Sequence, residues 1–119
     1  MAKKILVIDD EENFAKYVAT FLKDSGYMTF CAFNADDAMK ILTEQKPDLV
    51  TLDLQMPNET GSRFYRKMTK KKEYKDIPVI VVSGLPGRHL AVPKPFAIFD
   101  KPVDREALLK TVKEAIGDA

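Results

Sequence analysis

Acidic, hydroxyl and lysine side chains follow short apolar runs at four separate places in this chain. They are Asp9 and Asp10 after residues 5–8, Asp53 after 49–52, Ser83 after 79–82, and Lys101 closely after 96–99. Several carboxylates held together repel one another, and keeping them ionised is costly without a cation. Oxygen ligands of this kind suit a hard divalent ion such as Mg²⁺, which takes one or two carboxylates and keeps several waters. If the four places converge, the sequence predicts a metal site flanked by a hydroxyl and a cation.

The same groups also fit chemistry on a phosphoryl donor. With a metal bound, one carboxylate can act as a nucleophile and form an aspartyl phosphate. Such a transfer depends on positioning and charge neutralisation more than on covalent machinery. Lys101 can place a cation on one phosphoryl oxygen, and Ser83 can donate a hydrogen bond to another.

Each feature also has a plain structural interpretation. An Asp pair after a strand commonly forms a turn or caps a helix, and Asp53 could merely end a strand. Ser83–Gly84 is a common kind of turn, and a Lys-Pro pair near a surface usually has no chemical role. The functional interpretation is favoured because all four features fall at predicted strand ends and their chemistries fit together.

The spacing of apolar residues alternates along the chain between continuous runs and helical intervals. Apolar runs without polar alternation indicate strands buried on both faces, and the stretches between them have helical periodicity. Right-handed crossovers arrange such strands in one parallel sheet, and ligands bind at the edge where the carboxyl ends gather. We therefore predict an α/β fold with a doubly wound sheet of five parallel strands, forming a single domain over residues 1–119.

Punctuating residues predict where the helices begin and end. Gly26 ends the first helix, Asn34 caps the second and Pro47 closes it, and Asp104 caps the last one. One segment breaks this pattern, because the chain between the fourth and fifth strands contains Gly84, Pro86, Gly87, Pro93 and Pro95. Proline in a helix interior costs about 3 kcal/mol or more and disfavours helical angles in the residue before it. The fourth helix is predicted to be absent or vestigial.

Composition points to an ordinary globular protein and leaves the class of partner open. Net charge is +1, 45% of residues are hydrophobic and 31% are charged, which argues neither for nucleic acid nor for a membrane surface. The basic stretch 63–75 is interpreted as a solvated helix face and end, because it lacks the aromatic interleaving of a nucleic-acid reader. A lone Cys31, no bilayer-length apolar run and no signal-peptide pattern favour a cytoplasmic location.

In this order, the motifs resemble those of the response-regulator receiver domain of the two-component, chemotaxis-regulator-like family. The family has an acidic pair after the first strand, an Asp-Leu-x-Met-Pro run with a Gly eight residues after its Asp, a Ser or Thr after the fourth strand, and a Lys-Pro after the fifth. The corresponding residues here are Asp9-Asp10, Asp53-Leu54-Gln55-Met56-Pro57 with Gly61, Ser83, and Lys101-Pro102. The resemblance covers essentially the whole chain and implies a flavodoxin-like (βα)5 receiver topology.

The resemblance also implies a role for each acidic residue. Asp53 would be the phosphoacceptor, taking a phosphoryl group from the phosphohistidine of a histidine kinase or from a phosphotransfer protein. Asp10, Asp53 and the backbone carbonyl of Gln55 would bind Mg²⁺, and Asp9 would act largely through water. Enzymatic activity beyond self-phosphorylation and slow self-dephosphorylation is not expected.

The remaining site residues and the output follow from the same resemblance. Lys101 would contact the phosphoryl group, and the Lys101–Pro102 peptide bond is usually cis in such domains. Ser83 would move toward the phosphate on activation. The chain departs from the family at Ile98, three residues before the lysine, where an aromatic switch residue is common. We expect a monomer or weak dimer without an output domain, switching the binding of an unidentified downstream protein, with no direct contact to nucleic acid or membrane.

Three alternatives use related chemistry. Haloacid-dehalogenase-type phosphatases also combine an Asp nucleophile, Ser or Thr, Lys and Mg²⁺, but they carry Asp-x-Asp after the first strand, where this chain has Asp9-Asp10. A flavodoxin-like nucleotide binder would need backbone donors or hydroxyls there, and no Gly-rich fingerprint is present. The third alternative is a degenerate receiver used only for protein contacts. It would take up no phosphoryl group from acetyl phosphate, whereas an active receiver would.

Overall fold

A computed structural model describes residues 2–56, 59–84, 92 and 94–119 of the chain. Strands and helices alternate along these residues, except between the last two strands. The elements are β1 (Lys4–Ile8), α1 (Glu12–Asp24), β2 (Met28–Ala32), α2 (Ala35–Gln45), β3 (Leu49–Leu52), α3 (Gly61–Lys70), β4 (Val79–Ser83), β5 (Ala97–Asp100) and α4 (Arg105–Ile116).

The five strands form one parallel sheet in the order β2-β1-β3-β4-β5. The chain moves outward from β1 to β2, then returns past β1 to β3, so the strand order reverses between β1 and β3. Ile8 at the end of β1 is in register with Leu52 at the end of β3, which places the residues after both strands side by side. The predicted doubly wound, five-stranded parallel sheet is therefore confirmed, and its switch point lies where Asp9 and Asp53 were predicted to meet.

A hydrophobic cluster lies on each face of the sheet. Alternate residues of β1 serve the two clusters, with Leu6 and Ile8 facing one and Ile5 and Val7 facing the other. Helices α2 and α3 cover the first face and α1 and α4 cover the second. Strands β1, β3 and β4 are accordingly buried almost throughout, as their unbroken apolar runs predicted.

Side-chain caps begin three of the four helices that the described residues contain. The Asn34 side chain accepts a hydrogen bond from the Asp37 backbone N–H at 2.8 Å, and Asp104 accepts one from Ala107 at 3.2 Å, as the sequence predicted. Thr60 caps α3 in the same manner, with its hydroxyl accepting from the N–H of Arg63 at 3.2 Å. Helix α1 begins after Glu11, whose side chain makes no capping hydrogen bond.

The described residues between β4 and β5, which are Gly84, Val92 and 94–96, form no helix. The rest of the segment predicted to lack one, residues 85–91 and 93, lies outside the described residues, as does Pro57 of the Asp-Leu-x-Met-Pro run. Within the described parts of the chain, no helix is long and apolar enough to cross a membrane.

Candidate functional site

Three carboxylates meet where β1 and β3 end. The sheet hydrogen bonding continues one residue beyond each strand, because the Asp9 N–H donates to Ala32 O and the Asp53 N–H donates to Ile8 O, both at 3.0 Å. Asp9 and Asp53 are almost fully buried, whereas Asp10 is exposed. One oxygen from each of Asp9, Asp10 and Asp53 lies within 4.8 Å of the others, which is a spacing that a single cation can bridge.

Backbone N–H groups orient both buried carboxylates. Asp9 Oδ1 accepts a hydrogen bond from the N–H of Glu11 at 2.9 Å, and Asp53 Oδ1 accepts one from the N–H of Gln55 at 3.2 Å. In each case the Asp side chain accepts from the backbone N–H two residues later and closes an Asx-turn, a conformation that Asp favours. The Oδ2 atom of each carboxylate is the one that lies nearest to Lys101.

Lys101 brings a cation to this acidic cluster from the end of β5. Its Nζ lies 2.9 Å from Asp9 Oδ2, 2.8 Å from Glu11 Oε1 and 3.8 Å from Asp53 Oδ2. The Lys101 N–H donates to the backbone carbonyl of Ser83 at 3.3 Å, which joins the loop after β5 to the end of β4. The Lys101–Pro102 peptide bond is cis, as the family resemblance implied.

Ser83 is the last residue of β4, and it is fully buried. Leu52 is in register with Val81, so Ser83 lies at the same edge of the sheet as Asp53, on the neighbouring strand. The structure thus brings the residues that the sequence singled out to one edge of the sheet. Their catalytic and metal-binding roles stay predictions.

Burial and crowding of like charges change the proton affinities in the site. Burial, followed by the nearby Asp9 charge, raises the pKa of Asp53 to about 7, although the Gln55 N–H and Lys101 oppose the shift. Burial also raises the pKa of Asp9, against the lowering effect of its hydrogen bond with Lys101. For Lys101, burial alone would lower the pKa, but hydrogen bonds to Glu11 and Asp9 together with the negative charges of Asp9 and Asp53 outweigh it and leave the pKa above its ordinary value. A divalent cation would relieve the repulsion that these shifts express.

Gly61 lets α3 approach the backbone of Asp53. A Cβ atom at this position would lie 2.2 Å from the carbonyl oxygen of Asp53 and 2.8 Å from Cα of Leu54. The Gly61 N–H instead donates to the carbonyl of Leu54 at 3.1 Å. The Gly eight residues after the Asp is therefore explained by close backbone contact, which only a residue without a side chain allows.

An open cavity of about 650 Å³ gives access to the acidic cluster. Its lining includes Asp10, Glu11 and Asp53 as well as Gln55, whose backbone carbonyl was predicted to bind metal. Another cavity of similar volume, lined by Tyr65, Lys94 and Phe96 among others, contains none of the predicted site residues. The two cavities do not differ in volume, and only the first contains the carboxylates that the sequence singled out.

Two residues of the site carried no motif. Glu11 bonds directly to Lys101, and the Phe14 ring centroid lies 4.6 Å from Lys101 Nζ. Glu11 could have been noticed from sequence because it occupies the N-cap position of α1. Short residues such as Ser, Thr, Asp or Asn are preferred there, so a glutamate is unusual. Phe14 gave no such signal, because its helical spacing predicts only a core contact.

Comparison with known proteins identifies the family. The sequence model of the response regulator receiver domain family matches residues 5–113 of the chain. The chain belongs to this family. Protein Rrf1 of Nitratidesulfovibrio vulgaris (strain Hildenborough) is 33% identical over 116 residues, an alignment that covers 98% of this chain and 84% of the relative.

Solved structures have the same receiver fold. The chemotaxis protein CheY4 of Vibrio cholerae is 26% identical with a TM-score of 0.88, covering 98% of this chain and 100% of that one. The signal receiver domain of a signal transduction histidine kinase from Syntrophus aciditrophicus has the same identity, 26%, and the same TM-score, 0.88, with coverage of 97% and 90%. The receiver interpretation is thereby confirmed.

Proposed function

We propose that this receiver domain accepts a phosphoryl group on Asp53 in a Mg²⁺-dependent reaction and thereby switches the binding of a partner protein. The donor would be the phosphohistidine of a histidine kinase or of a phosphotransfer protein. The observation that carries the proposal is the geometry at the sheet edge, where three carboxylates lie within 4.8 Å of one another and Lys101 Nζ lies 3.8 Å from Asp53. Membership of the receiver family supports the same chemistry.

The donor set fits Mg²⁺ because it offers oxygen ligands and an excess of negative charge. Asp10, Asp53 and the backbone carbonyl of Gln55 would hold the ion. Both Asp9 oxygens already have partners in the Glu11 N–H and Lys101, which supports a role for Asp9 through water. When bound, the ion supplies positive charge that keeps Asp53 ionised and neutralises phosphoryl oxygens.

The protein groups have distinct tasks in the transfer. A carboxylate oxygen of Asp53 forms a bond to phosphorus while the bond between phosphorus and the histidine nitrogen breaks, and the imidazole leaves with the bonding electron pair. Lys101, which is already within 3.8 Å of Asp53, is close enough to pair with a phosphoryl oxygen after a small side-chain movement. The hydroxyl of Ser83 would donate to a second phosphoryl oxygen from the neighbouring strand. This arrangement promotes the reaction mainly by positioning and charge.

The proposal also covers the extent of the domain, its cellular location and its oligomeric state. We treat residues 1–119 as one receiver domain that works in the cytoplasm as a monomer or weak dimer. The lone Cys31 and the balanced net charge of +1 support this setting.

The direct test is phosphorylation by acetyl phosphate in the presence of Mg²⁺. The wild type is expected to gain the mass of one phosphoryl group as a base-labile adduct, which EDTA prevents. Asp53→Asn removes the nucleophile and should abolish the adduct, while Asp24→Asn makes the same change at an exposed position on α1 and should leave it intact.

The other outcomes are equally informative. If the wild type forms no adduct with acetyl phosphate or with a phosphorylated histidine kinase domain, the chain is a degenerate receiver that acts through protein contacts alone. An adduct that persists in Asp53→Asn would assign the phosphoacceptor role to another residue. Multiple turnover of phosphate esters would indicate a phosphatase.

A further inference from the structure

We propose that Glu11 is a positioning residue that restrains Lys101 in the unphosphorylated protein and releases it when Asp53 carries a phosphoryl group. The inference rests on the proposed function, because it assigns a resting partner to the lysine that would contact the phosphoryl group. Its consequence is that Glu11 opposes phosphoryl uptake, so that removing its carboxylate accelerates the reaction.

The first observation is the order of distances around the lysine. Lys101 Nζ lies 2.8 Å from Glu11 and 2.9 Å from Asp9, but 3.8 Å from Asp53. The two shorter distances are within hydrogen-bonding range for a charged pair, and the longest is not. In this state the lysine is therefore bonded to the residues after β1 rather than to the residue proposed to react.

The second observation is that the Glu11 side chain does not serve its own helix. Glu11 occupies the N-cap position of α1, where a short side chain normally accepts a hydrogen bond from the helix, yet it makes no such bond. Its carboxylate instead reaches a residue 90 positions away in the sequence. Local helix stability therefore does not explain a glutamate here, and Ser would cap the helix better.

The third observation is that Phe14, one turn further along α1, contacts the same ammonium group. The Phe14 ring centroid lies 4.6 Å from Lys101 Nζ, within the range of a cation–π interaction. Glu11 at the N-cap and Phe14 in the first turn of α1 lie three residues apart, close enough to contact the same group. Lys101 thus has two partners at the start of α1 besides Asp9.

Exposure decides which of these bonds breaks first. The Glu11 side chain is 66% exposed, whereas the Asp9 side chain is 3% exposed. An exposed ion pair is weak because water competes for both charges, while a buried carboxylate left without its cation is costly. An incoming phosphoryl group would therefore draw Lys101 from Glu11 and leave its bond to Asp9.

The test compares wild type, Glu11→Gln, Glu11→Ser and the control Glu12→Gln. Glu12 is the next residue, is exposed, and carries the same charge, so its variant measures the general effect of removing one negative charge. Rates of phosphorylation are measured against acetyl phosphate concentration with saturating Mg²⁺. Both Glu11 variants should react about twofold to fivefold faster than Glu12→Gln, which is the range expected for losing one exposed ion pair.

Two further measurements separate positioning from folding. Glu11→Ser should unfold at the same temperature as the wild type or higher, because Ser is the better cap. In metal-free, unphosphorylated protein, the ¹⁵N and ¹H resonances of the Lys101 ammonium group should shift in both Glu11 variants and stay unchanged in Glu12→Gln.

The results that overturn the inference are distinct from those that overturn the proposed function. Equal rates in the Glu11 and Glu12 variants, slower rates in the Glu11 variants, or an unchanged Lys101 resonance would each overturn it. If the wild type takes up no phosphoryl group at all, the proposed function fails, and so does the release step that depends on it. The resonance measurement then reports only whether the resting pair exists.

Discussion

The central and edge strands of this receiver domain contribute different kinds of site residue. Strands β1, β3 and β4 are buried almost throughout, and the residues at or just after their ends, Asp9, Asp53 and Ser83, are 2%, 3% and 0% exposed. Edge strand β5 is only partly buried, and the residue after it, Lys101, keeps 17% of its side chain exposed. The two buried carboxylates and the hydroxyl are therefore held by the best-packed part of the sheet, and the ammonium group of Lys101 comes from its edge.

The difference suggests how the domain combines a fixed site with a movable group. Under the proposed function the carboxylates hold a metal and orient the reacting phosphorus, and they would benefit from the rigid support that central strands packed on both faces provide. The proposed exchange of partners by Lys101 would need more freedom, and the described part of β5 pairs with β4 alone. Three predictions test this comparison, in decreasing order of expected effect.

The largest effect is expected from matched truncations in the two kinds of strand. Ile80 on β4 is fully buried, and Ile98 on β5 is half-buried. Ile80→Ala should lower the free energy of unfolding by about 3 to 4 kcal/mol, and Ile98→Ala by about half as much, because less packing is lost at the edge. Urea denaturation measures both, and equal losses would contradict the distinction between centre and edge.

The next effect concerns the support behind Asp53. Gly61→Ala would drive a methyl group into the Asp53 carbonyl, so the backbone must shift, and a loss on the order of 2 kcal/mol is expected together with slower phosphorylation. Gly84→Ala is the control for stability, because a Cβ there meets nothing within 4 Å; its effect should be about 0.5 kcal/mol or less. Thermal unfolding and acetyl phosphate kinetics measure these effects. Wild-type stability and rate in Gly61→Ala would show that the close contact is not needed.

The smallest effect is the dependence of stability on pH in metal-free protein. The pKa of Asp53 is raised to about 7 in the folded state, so between the unfolded value and 7 the folded protein retains a proton that the unfolded chain releases. Stability should therefore decrease as pH rises from about 4 to about 7, and Asp53→Asn should remove much of this slope and gain about 1 to 2 kcal/mol at pH 8.

The pH experiment uses urea denaturation in EDTA, with Asp24→Asn as the control that keeps the wild-type slope. Some slope should remain in Asp53→Asn because the pKa of Asp9 is also raised. Added Mg²⁺ should stabilise the wild type more than Asp53→Asn. A wild-type stability that is flat or rises between these pH values would contradict the proposed crowding of charges.

The parts of the fold that were predictable are those determined by local interactions. Strand β3 was predicted at its observed bounds because three apolar residues and the β-branched Thr51 stand between Asp48 and Asp53. The caps at Asn34 and Asp104 were predicted because a short polar side chain just before a helix accepts a hydrogen bond from that helix's own N–H groups. No start was predicted for α3, so the capping role of Thr60 became clear only from the structure.

The positions of the main site residues were also predictable, because they depend on where the parallel strands end. Parallel strands gather their carboxyl ends at one edge, so Asp9, Asp53 and Ser83 had to be neighbours once the strands were recognised. Why the Gly at position 61 is needed, however, became clear only from its 2.2 Å approach to the Asp53 backbone. That approach depends on how α3 packs against the end of β3, which no local pattern specifies.

The amino-acid pattern thus determines the order of the elements, the burial of the central strands and the residues at the sheet edge. It does so because the spacing of apolar residues and the connectivity of the chain dictate them. The partner of Lys101 does not follow from it. Only the packed molecule places this ammonium group closer to Glu11 and Asp9 than to Asp53. Differences of about one ångström between competing carboxylates depend on how the start of α1 and the loop after β5, 90 residues apart, meet in space.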